Sequence, residues 1–299
     1  MSTRQQTKNQ IVTLMVFLGI GSIQVFAAPF AKGPYLGQAP PGSTAQVFAP
    51  GLICNTGQGQ WESHGTFSAD GKTFCFARGR GVFITENTDQ GWTAPKRIKS
   101  VPEIPWSPYL SPDANSIYFM YSYDLYRCNR TARGWAKPQK LGPPLSSPSK
   151  ELTCSLAANN SIYLGSHRKG GRGDMDIWYA RFVDNTWPRA INIPSMNTGL
   201  GECHPGIAPD ESFLVFNSPR PGGLGGADLY LILRRPDGTW SKHRNLGPRI
   251  NTAYHDFGAY ISPDKKYLFF TRSNGWDPRI HTADIYWVEL KEYLPESHR

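Results

Sequence analysis

Four acidic residues recur at one position of a repeated plan. Glu62, Glu151, Glu202 and Asp256 each stand eight residues before a turn residue, Asp70, Asn159, Asp210 and Asp264, while Pro105 holds that place before Asp113. Carboxylates that converge can bind a cation or act as general acid and base. Histidines follow two residues later in two units, His64 and His204. Two histidines without thiolate or closely spaced carboxylate partners do not make a transition-metal set, so no metal or other cofactor is expected and a hydrogen-bonding role is preferred.

The acids have a competing structural explanation. An arginine follows each of them, at Arg78, Arg168, Arg220 and Arg272, and the unit without the acid has Tyr121 near that place. The start of one antiparallel strand lies beside the end of the next. Each acid is therefore expected to pair with its own arginine in a bidentate bond, and these are read as structural pairs. The alternative is a carbohydrate-active hydrolase or lyase in which two acids, such as Glu151 and Glu202, work as acid and base.

The elements that must position these residues are strands. Five segments begin with a short apolar run ending in a turn, "GTFSADGK", "PYLSPDAN", "CSLAANNS", "PGIAPDES" and "AYISPDKK", followed by a strongly β run such as "TFCFAR" or "YLFFTR". A third run follows ("GVFIT", "DLYRC", "DIWYA", "DLYLI", "DIYWV"), and its starts are 43 to 56 residues apart. In four units a Trp nine or ten residues after the middle of that run opens a last segment, as in "GWTAPKRI" and "TWSKHRNL". Four short strands per repeat, rich in aromatic and β-branched residues and punctuated by turns, predict the blades of a β-propeller. Asp at the turn suits it because its short side chain can bond its own backbone.

The fifth unit ends at "DIYWVELKEYL" and lacks the Trp segment. "PPGSTAQVFAPGLICNT" (40–56) lies without a gap over "PDGTWSKHRNLGPRINT" (236–252), and so supplies the missing strand from the beginning of the chain. The expectation is an all-β, five-bladed propeller whose last blade is closed by Thr44 to Ile53, leaving no free edge. Six blades are the alternative, but they would require residues 28–60 to make most of a blade.

"FSADGKTFCF", "LSPDANSIYF", "IAPDESFLVF" and "ISPDKKYLFF", with "DLY" or "DIY" downstream and "NLGPRINT" between units, resemble the WD-repeat-like propeller repeats of the TolB type. The resemblance covers nearly all of the chain after residue 27. It implies an exported bacterial protein acting as a protein-binding platform, a sensor or envelope module, or, less often, the propeller domain of a hydrolase or lyase. The third unit departs from the pattern with "LAANNS", and the first has Gly81 where the others have Asp124, Asp176, Asp228 and Asp284.

A polar start with Arg4 and Lys8, then an apolar run from Ile11 to Ala27, has signal-peptide anatomy. Residues 1–27 are read as a cleaved leader and 28–299 as one propeller domain, periplasmic or secreted, with no integral membrane span after cleavage and a monomer as the simplest state. Of five cysteines, four fall in or beside apparent strands, which favours buried thiols over a disulfide framework. The formal charge of +9 comes from scattered basic residues with no run interleaved with aromatics, which argues against nucleic acid as a partner.

No nucleophile elbow, phosphate loop or zinc-protease helix is present. "GGRGDMD" and "GGLGGAD" read as glycine turns, not calcium repeats, because the Asp falls one place late and the motif does not recur in series. The loops "KGGRGD", "PGGLGGA" and "SNGWDPRIHTA" leave the face that carries the acids. Loops on a rigid scaffold are where recognition sits. Trp61, Trp106, Trp276, Arg279 and His281, with His64 and His204, are the candidate binding residues for a protein, peptide or envelope glycan. The functional expectation is an exported, non-enzymatic binding or scaffold protein, beside the hydrolase or lyase alternative and a purely structural envelope role.

Overall fold

The computed structural model describes residues 32–55, 60–277 and 279–299. The expected leader and its cleavage site lie outside these residues. Short runs rich in aromatic and β-branched residues, most of them buried on both faces, pair into five antiparallel blades around a central channel. From the channel outward, the first blade is Glu62–Phe67, Thr73–Arg78, Gly81–Thr88 and Gly91–Trp92, with Lys96–Arg97 also on its third strand. The second is Trp106–Leu110, Ser116–Tyr121, Asp124–Thr131 and Gly134–Trp135, with Gln139–Lys140 added likewise. The third is Glu151–Leu156, Ile162–Ser166, Asp176–Ala180 and Ile191–Asn192. The fourth is Cys203–Ile207, Phe213–Ser218, Asp228–Leu233 and Arg244–Asn245. No helix among the described residues is long and apolar enough to cross a membrane.

The fifth blade takes His255–Ile261, Tyr267–Ser273 and Ala283–Glu289 from the end of the chain, and Gln46–Val47 from its beginning as the outer strand. Six blades are thereby excluded. The closing strand is shorter than the expected Thr44 to Ile53, because residues 49–54 fold into a turn held by bonds from Leu52 N and Ile53 N to Ala49 O. The gapless overlay is also out of register. Val47 pairs with Tyr286 as Asn245 pairs with Tyr230, an offset two residues larger than the sequence match.

Phe48 holds this strand in place. Its fully buried ring packs 5.0–6.1 Å from Phe67, Phe74, Phe269 and Trp287, and so bridges the first and last blades. Between blades, a polar side chain caps the third strand of the preceding blade: Asn197 exchanges two bonds with Ile177, and Asn251 two with Leu229. At the closure Cys54 Sγ takes that role toward Ile285. All five cysteines are free and buried. The irregular third turn keeps the chemistry of the others: Asn159 Oδ1 accepts from Ser161 N at 2.9 Å, as Asp70 accepts from Lys72 N at 3.0 Å.

Candidate functional site at the channel mouth

Every blade breaks register between its first two strands, at Ser63/Thr66, Trp106/Tyr109, Glu151/Thr153, Cys203/Gly206 and Phe257/Tyr260. Such bulges re-aim side chains and favour sheet edges beside functional sites. In four blades the bulge holds a residue in the left-handed region: His64 (φ 54°), Ser107 (φ 50°), His204 (φ 47°) and Gly258 (φ 67°). Non-glycine residues there cost free energy, and the surrounding ladder must hold them.

These bulges bring together residues from different blades. His64 of the first blade and His204 of the fourth lie with ring centroids 5.2 Å apart, although the fifth blade stands between them in the ring. They meet because that blade has Gly258 at the equivalent place: a Cβ there would sit 3.0 Å from His64 Cδ2 and Nε2. Ser107 Oγ is 3.1 Å from His64 Nε2, and Asn217 Oδ1 is 2.9 Å from His204 Nδ1. Phe257 packs 5.6 and 5.1 Å from the two imidazoles.

Burial makes both rings poor proton acceptors. His204 is pushed down to about 4, and His64 lies well below the usual imidazole range, lowered by burial and then by His204. Near neutral pH both are uncharged hydrogen-bonding groups. Ser107 and His64 have the spacing of a nucleophile and its base, but such a base needs a third group to orient it. His64 Nδ1 has no partner among the described residues, and Ser107 is only 4% exposed. Among the described residues no cluster of three or more His, Cys, Asp or Glu could hold a metal ion.

The acids form the next layer outward. Arg78 Nε lies 3.1 Å from Glu62, Arg168 Nη2 3.2 Å from Glu151, Arg220 Nη2 2.8 Å from Glu202 and Arg272 Nε 2.7 Å from Asp256. The bidentate fork expected from sequence is absent. Each arginine reaches its acid through one nitrogen and donates to carbonyls of the preceding inter-blade turn: Ile53 at 2.7 Å, Pro144 and Leu145 at 2.7 and 2.8 Å, Met196 at 3.0 Å, and Ile250. The pairs thus stitch blade to blade. Hydroxyls complete the shell, with Thr198 Oγ1 and Ser218 Oγ donating to Glu202 at 2.7 and 3.0 Å and Thr252 Oγ1 to Asp256 at 3.0 Å. Burial raises Glu62 to about 7 against the pull of Arg78, with Asp284 adding to the rise.

The long loops are held by their own carboxylates. Asp176 accepts from the backbone N–H groups of Arg172 and Gly173, and Asp228 from those of Leu224 and Gly225. In the first blade, which has Gly81 in that position, a tight turn with Arg78 opposing Gly81 leaves no loop to clamp; the second blade has the same turn, and its Asp124 pairs with Lys140 instead.

The candidate binding residues separate into three groups. Trp61 is buried, edge-on to the half-buried Trp106 at 6.4 Å, and its Nε1 donates to Ser63 Oγ; it lies beneath the loop face, not on it. Arg279 is ion-paired with Asp277, and His281 Nδ1 accepts from Asp277 N at 3.3 Å, so both brace their own loop. Trp276 is 47% exposed and packs at a tilt of 45° against His255 at 4.3 Å and Phe257 at 4.9 Å, linking the loop to the imidazole layer.

Sequence reasoning missed His255 and Phe257, which flank the repeated acid position, and Ser107, which stands two residues beyond it in the column of His64 and His204; all three emerge from a column-by-column reading. It also missed a pattern of exposure. Of nine exposed large apolar residues among the described ones, seven belong to segments at this mouth: Ile104, Leu200 and Tyr254 just before inner strands, and Tyr123, Leu224, Trp276 and Ile280 in the turns between second and third strands.

No protein-family model and no curated protein matches the sequence. Solved structures do. A protein assigned as TolB from Agrobacterium tumefaciens is 18% identical over 73% of this chain and 71% of its own, with a TM-score of 0.49. TolB from Acinetobacter baumannii is 11% identical over 77% of this chain and 57% of its own, with a TM-score of 0.49. An α-L-arabinofuranosidase from Lactobacillus brevis is 13% identical over 76% of this chain and 90% of its own, with a TM-score of 0.50. At such identities the likeness is one of fold: the chain is a five-bladed β-propeller, an architecture that hosts unrelated activities, so its function has to be argued from its own site.

Proposed function

We propose that this chain is an exported, non-enzymatic propeller of the TolB type that binds a protein, peptide or envelope polymer on its long-loop face. The observation that carries the reading is the gathering of exposed apolar side chains at one channel mouth, Trp276 foremost, above uncharged imidazoles. Exposed apolar side chains gathered on one face, rimmed by polar groups, mark interaction sites. Aromatic side chains offer contact area at low entropic cost. The hydrolase alternative needs two carboxylates free to exchange protons, whereas both oxygens of Glu202 and Oε1 of Glu151 are taken by arginine, hydroxyl or backbone N–H partners; Glu151 Oε2 has none among the described residues.

The test is a thermal-shift screen of residues 28–299 against envelope glycans and short peptides, repeated on Trp276→Ala and Glu202→Gln. Saturable stabilisation that Trp276→Ala removes and Glu202→Gln keeps is the expected result. Cleavage of a glycan by the wild type, lost in a folded Glu202→Gln variant, would replace this reading with an enzymatic one.

A further inference from the structure

The far mouth of the channel has a different chemistry. There the turns after the inner strands place Ala69, Pro112, Ala158, Pro209 and Pro263, one residue per blade, around an opening. Beneath them lies a cavity of about 190 Å³ walled by Phe67, Leu110, Leu156, Ile207 and Ile261 and by two tyrosines. Among the described residues the phenols are the sole polar side-chain groups in this wall, and both protons are already used. Tyr109 donates to Leu156 O at 2.9 Å and Tyr260 to Phe67 O at 2.8 Å, each across to another blade.

The rim is closed in the same way. Ala69 N donates to Pro112 O at 2.7 Å and Ala158 N to Pro209 O at 2.9 Å, and the three prolines have no N–H to offer. A water molecule needs two to four polar partners to be held in a cavity, and an apolar cavity of about 150 Å³ stays dry and admits benzene or xenon. This cavity is larger and has no free side-chain or rim N–H donor. A wider groove of about 520 Å³, lined by Gly33, Pro34, Tyr35 and Gly71 and by the charged Asp70, Lys72 and Asp264, shares Ala69 and Pro263 with its rim.

We propose that this cavity is a binding site for a free, uncharged aromatic or alicyclic molecule of benzene to toluene size. The site is independent of the loop-face reading, because it lies at the opposite mouth and shares no residue with Trp276 or the imidazole pair. The two tyrosine rings pack edge to face, 5.9 Å apart at an interplanar angle of 68°, and give the wall a continuous aromatic surface.

The experiment is a titration of residues 28–299 with benzene and toluene, read by melting temperature and by NOEs from ring protons to the methyls of Leu156 and Ile261. The expected result is a saturable rise in melting temperature with NOEs to those methyls, unchanged in Trp276→Ala and weakened at least about tenfold in Ala158→Phe, which fills the mouth. If Ala158→Phe does not fold, xenon-pressurised crystals of the wild type decide: a xenon peak between Leu156 and Tyr260 supports the site. No saturable shift together with no xenon peak would overturn the proposal, as would binding lost in Trp276→Ala but kept in Ala158→Phe.

Discussion

Removing the Glu202 carboxylate should be among the most costly single changes in this protein. Glu202 is wholly buried (0% exposed) and Arg220 nearly so (7%). The carboxylate accepts from Arg220 Nη2 at 2.8 Å, Thr198 N at 2.7 Å, Thr198 Oγ1 at 2.7 Å and Ser218 Oγ at 3.0 Å. In Glu202→Ala the two hydroxyls can turn elsewhere, but the Thr198 N–H and the guanidinium cannot. The guanidinium keeps the Met196 carbonyl and the faces of Phe216 and Tyr230, 5.1 and 4.9 Å from its central carbon, and no counter-charge.

A stranded buried charge costs about 3–5 kcal/mol and an orphaned buried N–H about 1 kcal/mol more. For a domain of this size about 4 kcal/mol corresponds to a fall in Tm of roughly 8–12 °C. The assay is calorimetric melting of wild type, Glu202→Ala, and the double variant Glu202→Leu with Arg220→Met. The double variant removes both charges and is expected to regain at least about half of the loss, because the penalty belongs to the unpaired ion and not to the missing bond. An unchanged melting curve for Glu202→Ala would refute the pairing argument; a double variant no better than the single would refute the stranded-charge reasoning.

The buried imidazoles give a pH signature. His204 falls from 6.5 in the unfolded chain to about 4 in the fold, so the unfolded state binds more protons between those values and the stabilisation present above pH 6.5 is lost as pH falls toward 4. Glu62, raised to about 7, acts with the opposite sign: its contribution is present below its unfolded value and lost as pH rises through 7. Urea unfolding of His204→Gln should therefore show a slope shallower than wild type between pH 4 and 6.5, by up to about 1.4 kcal/mol per pH unit; identical slopes would contradict the burial of a neutral ring. Phe48→Ala removes the ring that bridges the first and last blades and should cost about 3–5 kcal/mol in denaturant unfolding. A loss below about 1 kcal/mol would mean that the closing strand is held by its backbone bonds alone.

What the sequence determined by itself is the architecture: four short strands per repeat rich in aromatic and β-branched residues, turns built on Asp or Asn bonding their own backbone, and a missing last strand found at the other end of the chain. These are legible because they depend on contacts within a few residues or on a repeat that shows itself as self-similarity. The acid and arginine columns belong to the same class, since antiparallel neighbours such as Glu62 and Arg78 are brought together by one hairpin.

Register and direction were left to the tertiary structure. A two-residue slip in the closing strand, the second partners of the arginines in the preceding inter-blade turn, and the burial of Trp61 against the exposure of Trp276 all depend on how one blade sits on the next. The meeting of His64, Ser107 and His204 is the clearest case. Residues separated by 43 to 140 positions touch because backbone bulges turn them into the channel and because Gly258 leaves the space they need, and no local pattern carries the distance across a ring.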